Sequence, residues 1–156
     1  MVNIRILLVD DFEPWRRFVS STLQKSPGFE IVLEVSDGLQ AVQKAAELDP
    51  DLILLDIGLP GLNGIEAARR IRKVAPHSKI IFLTEDSAED IAEEAFRIGA
   101  AGYVVKSDAA RELLSAMQTV LSGQRFSSAR LHREAFSDVP ERQAHLVRLS
   151  AEGFSK

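Results

Sequence analysis

Apolar residues concentrate in short runs at 4–9, broken only by Arg5, at 29–35, broken by Glu30 and Glu34, at 52–55, at 79–83 after Lys79, and at 103–105, separated by longer stretches in which they recur every third or fourth position. The runs have the length and continuity of strands covered on both faces. The stretches between them predict helices, through Trp15, Phe18, Val19, Thr22 and Leu23; Leu39, Val42 and Ala46; Ile65, Ala68, Ile71 and Ala75; Ala88, Ile91, Ala92 and Ala95; and Ala110, Leu113, Leu114, Met117 and Leu121. Pro27-Gly28, Asp49-Pro50, Pro76, Gly99 and Gly123 punctuate the units. Outward positions carry charge: Arg69, Arg70, Arg72 and Lys73 on the third helix, and Glu89, Asp90, Glu93 and Glu94 on the fourth.

Strict strand-helix alternation demands right-handed crossovers, which gives an α/β fold: a (βα)5 doubly wound parallel sheet in a three-layer sandwich. The expected strand order is the flavodoxin-like 2-1-3-4-5, in which ligands bind beyond the carboxyl ends of strands 1 and 3. The five units occupy residues 1–125. Residues 126–156 are polar, show no sixth strand, and read as a linker followed by a short helix built on Leu146, Val147, Leu149 and Ala151.

Four strands end in polar residues at that same edge: Asp10 and Asp11 after strand 1, Asp56 after strand 3, Thr84 after strand 4 and Lys106 after strand 5. Each alone has an ordinary explanation as a helix start, a cap or a surface lysine; their convergence does not. Three crowded carboxylates repel unless one is protonated or a divalent cation compensates, and an all-oxygen donor set suits Mg2+. Gly58, Pro60, Gly61 and Gly64 shape the loop after Asp56 so that it can lend a carbonyl. A carboxylate beside Mg2+ and a lysine is equipped to attack a phosphoryl group, with Asp56 as nucleophile and Thr84 able to donate to the attached group.

Composition narrows the picture further. A chain of 156 residues supports one well-buried core and an appendage. With no cysteine, disulfides and thiolate metal sites are excluded. No apolar run reaches membrane-spanning length and the N-terminus leads directly into a strand, so a cytoplasmic protein without a membrane partner is expected. A net charge of −4 offers nucleic acid no general attraction. His132 and His145 lack carboxylates at metal-binding spacing and read as solvated.

Asp10-Asp11, the LDIGLPGLNGIEAARRIR segment around Asp56, Thr84 and the run from Gly102 to Lys106 together resemble the receiver domain of two-component response regulators, over residues 4 to about 122. The LPGLNG wording is similar to the subfamily whose helix-turn-helix members include the nitrate and nitrite responders. The resemblance implies phosphorylation of Asp56 by a sensor histidine kinase, with Mg2+ held by Asp11, Asp56, the Gly58 carbonyl and, partly through water, Asp10. It implies that Lys106 pairs with the phosphoryl group. It also makes Thr84 and Tyr103 a switch pair, Tyr103 turning into space that Thr84 vacates, for the face formed by helix 4, strand 5 and helix 5. By itself Tyr103 reads as a half-buried packing residue. Many receivers carry a cis proline after the lysine; Ser107 stands here, where a cis bond would cost about 3 kcal/mol.

The expected function is a signalling switch and not an enzyme, with possible homodimerisation. An ending similar to the first helix of a helix-turn-helix domain predicts no sequence-specific DNA binding by this chain alone. Two alternatives fit less well. A phosphohydrolase working through an aspartyl phosphate wants a second acid where Gly58 stands, and a flavin carrier wants a glycine- and hydroxyl-rich loop in place of residues 10–15.

Overall fold

The structure, a computed structural model, describes residues 3–128. The readings made for the rest of the 126–156 segment, including its helix and both histidines, lie outside the described residues. In chain order the elements are β1 (Ile4–Val9), α1 (Glu13–Gln24), β2 (Phe29–Val35), α2 (Gly38–Leu48), β3 (Leu52–Leu55), α3 (Gly64–Val74), β4 (Lys79–Thr84), α4 (Glu89–Arg97), β5 (Gly102–Val105), α5 (Ala109–Leu121) and β6 (Phe126–Ser127).

One parallel sheet runs β2-β1-β3-β4-β5-β6. The expected order is correct through β5, and the sixth strand corrects the rest. Gly123, at φ 96°, turns the chain back along the open edge of β5, where Phe126 N–H donates to the Ala101 carbonyl and Ser128 N–H to that of Tyr103. Two residues are too few for an alternation to register in the sequence, and the packed unit continues past residue 125.

Alternation along the strands divides the core. Leu7, Val9, Ile53, Leu55, Phe82 and Tyr103 meet α2, α3 and α4, while Ile6, Leu8, Leu54, Leu83 and Val104 meet α1 and α5. On α2 the buried residues are Gly38, Ala41 and Ala45, and the expected Val42 packs partly buried beside them, but the expected Leu39, 59% exposed, and Ala46 face out. α2 lies against α3, and its first residue meets the loop before α3, where a Cβ at Gly38 would strike the Leu62 carbonyl. On α5 the buried set is Ala109, Leu113, Ala116, Met117 and Val120; the expected Leu114 and Leu121 are partly buried against the same core, whereas the expected Ala110 is exposed. On α4, Asp90 is buried instead of facing out.

Helix starts are set locally. Asp37 caps α2 by accepting Gln40 N–H, and Asn63 caps α3 by accepting Glu66 N–H. No peptide bond among the described residues is cis, so Lys106–Ser107 is trans.

Candidate functional site

The carboxyl ends of β1, β3, β4 and β5 surround a cleft of about 430 Å³ that contains Asp10, Asp11, Asp56, Gly58, Thr84 and Lys106. Every predicted site residue except Tyr103 lines it. Asp10 is buried at the end of β1, and its Oδ1 accepts Phe12 N–H at 2.9 Å. The Asp56 N–H donates to the Val9 carbonyl at 3.0 Å, which ties the end of β3 to β1. Gly64 allows the chain to turn back beneath this point, because a Cβ there would collide with the Asp56 carbonyl and Ile57 Cα. Lys106 reaches in from the end of β5, its Nζ 2.7 Å from Asp10 Oδ2 and 3.8 Å from Asp56 Oδ2.

Asp56 is pushed above its ordinary pKa, first by burial and also by the negative charge of Asp10. The Lys106 ammonium and the N–H groups of Gly58 and Ile57 pull the other way. One ammonium does not compensate three carboxylates, and one oxygen from each of Asp10, Asp11 and Asp56 lies within 4.8 Å of the others. Opposite ligands of an octahedral Mg2+ stand about 4.2 Å apart, so a small contraction of this all-oxygen set would enclose the ion. The residues therefore fit a hard divalent cation, and the buried yet open-mouthed Asp56 fits a nucleophile with room for a phosphoryl group.

Thr84 is buried, and its Oγ1 accepts the Asp86 N–H at 3.2 Å. Tyr103 differs from the half-buried expectation: it is fully buried against Phe82 and Phe96, and its hydroxyl donates to the Asp86 carbonyl at 2.8 Å. Burial, followed by the charges of Asp86, Asp90 and Asp56, pushes the phenol pKa well up. The ring stands inside in this structure.

Sequence reasoning missed Asp86 and Arg16. Arg16 donates to the Asp10 carbonyl at 2.6 Å and pairs with Glu34 at 3.0 Å, which fixes the start of α1 over the acid pair. A polar residue two positions after a strand-end hydroxyl could have flagged Asp86. Nothing in the spacing of Arg16 distinguishes it from a surface arginine.

Residues 6–118 match the response regulator receiver domain. Response regulator UvrY of Escherichia coli is 36% identical over 141 residues, 89% of this chain and 65% of UvrY. Response regulator GacA of Pseudomonas viridiflava is 31% identical over 131 residues, 84% of this chain and 61% of GacA. The chain thus spans less than two thirds of the length of these curated relatives. The crystal structure of a LuxR-family two-component response regulator from Aurantimonas sp. SI85-9A1 superposes with a TM-score of 0.84 at 34% identity, covering 89% of this chain and 99% of that one. With the match spanning most of the chain and the acid cluster at the sheet edge where the fold places a ligand, the chain belongs to the response regulator receiver family of two-component systems.

Proposed function

We propose that Asp56 accepts a phosphoryl group from the phosphohistidine of a sensor histidine kinase, and that Thr84 and Tyr103 relay the change to the face of α4, β5 and α5. The observation that carries this reading is the meeting of Asp10, Asp11 and Asp56 within 4.8 Å, with Lys106 3.8 Å from Asp56. In the step, an Asp56 carboxylate oxygen forms a bond to phosphorus as the phosphorus–nitrogen bond breaks, and the departing imidazole keeps the electron pair and takes up a proton. Asp10, Asp11, Asp56 and the Gly58 carbonyl would hold Mg2+, which when bound supplies positive charge for the transferring oxygens. Lys106 supplies the second cation from the protein itself. Once Asp56 carries the phosphoryl group as an acyl phosphate, the negative charge sits farther out, and Lys106 and the Thr84 hydroxyl bond the phosphoryl oxygens.

The polypeptide works as a signalling switch; DNA-directed output and dimerisation are proposed for the whole regulator. Incubation with acetyl phosphate and Mg2+ should add one phosphoryl group by intact mass, and Asp56→Asn should abolish the addition. Equal labelling of wild type and mutant would overturn the assignment.

A further inference from the structure

We infer that Trp15 is a positioning residue for this site, its indole face holding the Lys106 ammonium in reach of Asp56. The inference rests on the reading of Asp56 as phosphoacceptor. Lys106 Nζ lies 5.0 Å from the centre of the Trp15 ring, within the distance at which the ring's quadrupole attracts a cation. The lysine side chain is only 11% exposed, so this attraction operates with little water to weaken it.

The two carboxylates beside the ammonium are unequal. Asp10 holds it at 2.7 Å and Asp56 at 3.8 Å, so carboxylates alone would draw Lys106 onto Asp10 and away from the nucleophile. The indole adds an attraction that carries neither a hydrogen bond nor a formal charge. The ammonium is thereby kept desolvated in the cleft yet free to pass to a phosphoryl oxygen, which another carboxylate in place of Trp15 would oppose.

Trp15 is itself held in place. It follows Pro14 in the first turn of α1 and packs against Phe18, ring centres 4.9 Å apart. Its neighbour Arg16 binds the Asp10 carbonyl at 2.6 Å, so one helical turn ties the ring to the acid pair that Lys106 bridges.

The test uses the full chain with Trp15→Phe, which keeps a π face, and Trp15→Leu, which keeps bulk without one. Labelling by acetyl phosphate and Mg2+ is followed across donor concentrations. Trp15→Leu should lower the maximal rate about three- to tenfold with the half-saturating donor concentration unchanged, and Trp15→Phe should restore most of the loss. In a Lys106→Met background the Leu substitution should have no further effect. Trp15 is the only tryptophan, so its emission reports the contact without any chemistry, and Lys106→Met should shift it in the unphosphorylated protein. Wild-type labelling rates in Trp15→Leu, equal rates in Phe and Leu variants, or unchanged emission in Lys106→Met would each overturn the inference. Failure of the wild type to label would instead overturn the phosphoacceptor reading on which it rests.

Discussion

Thr84 and Tyr103 hold opposite ends of one residue: the threonine oxygen accepts the Asp86 N–H at 3.2 Å while the tyrosine hydroxyl donates to the Asp86 carbonyl at 2.8 Å. They stand on adjacent strands, with Phe82 opposite Tyr103 and Thr84 opposite Val105, so sheet register sets their separation. A hydroxyl drawn from Asp86 toward a phosphoryl group would release one end of that residue and leave the other held by Tyr103.

Sharing one partner predicts non-additive energetics. Thr84→Ala and Tyr103→Phe should each cost about 1 kcal/mol in urea denaturation, the usual net worth of one hydrogen bond. The double mutant should cost less than their sum by about 0.5 kcal/mol or more, because losing either bond already loosens Asp86. Strict additivity would show that the two bonds act independently.

Asp56 sets a pH dependence. Its raised pKa means that the folded chain takes up a proton before the unfolded chain does. Stability from that proton is fully present below the unfolded pKa and is lost as pH rises through the folded one. At pH 7.5, without divalent cations, Asp56→Asn should therefore have a higher urea midpoint than wild type, and the gap should close as pH falls into the ordinary carboxylate range. Mg2+ should raise the wild-type midpoint more than the mutant's, since binding to the folded state alone stabilises it. A mutant less stable than wild type at pH 7.5 would mean that Lys106 outweighs burial and Asp10.

The parts of this fold legible in the sequence are those that local chemistry decides. Leu52 to Leu55 is apolar on both faces, and Asp56 ends it, so both the buried strand and its exit were readable. Asp10, Thr84 and Lys106 were readable for the same reason. What escaped depends on neighbours that lie far off in sequence. Gly38, Ala41 and Ala45 are buried on α2 while Leu39 is exposed, and the tight approach of the Leu62 carbonyl to Gly38 is a contact with a distant loop that hydropathy does not encode. β6 exists because β5 has an open edge, and Tyr103 is deep because Phe96 of α4 covers it.

Ser128 is the test of that sixth strand. Its buried hydroxyl accepts the Val105 N–H at 2.9 Å and donates to Glu112 at 2.7 Å, linking β5 to α5. Ser128→Ala leaves a buried N–H without an acceptor, at a cost of about 1–3 kcal/mol. Urea denaturation should show that loss, and hydrogen exchange should quicken at the Val105 amide. An effect below about 0.5 kcal/mol would show that the segment contributes little to the fold.

Asp90 supplies the last prediction. It is 3% exposed in the first turn of α4, and neither of its carboxylate oxygens has a hydrogen-bond partner among the described residues. Its carboxylate therefore lies on the inner side of the helix's first turn, close to the groups that follow it on α4. Asp90 also acts on Glu93, whose pKa is raised first by partial burial and then by the charges of Glu89 and Asp90. Asp90→Asn should lower the Glu93 pKa part of the way, since burial and Glu89 remain, and an NMR titration of the Glu93 carboxyl would read this. An unmoved Glu93 titration would show that the Asp90 charge does not reach it.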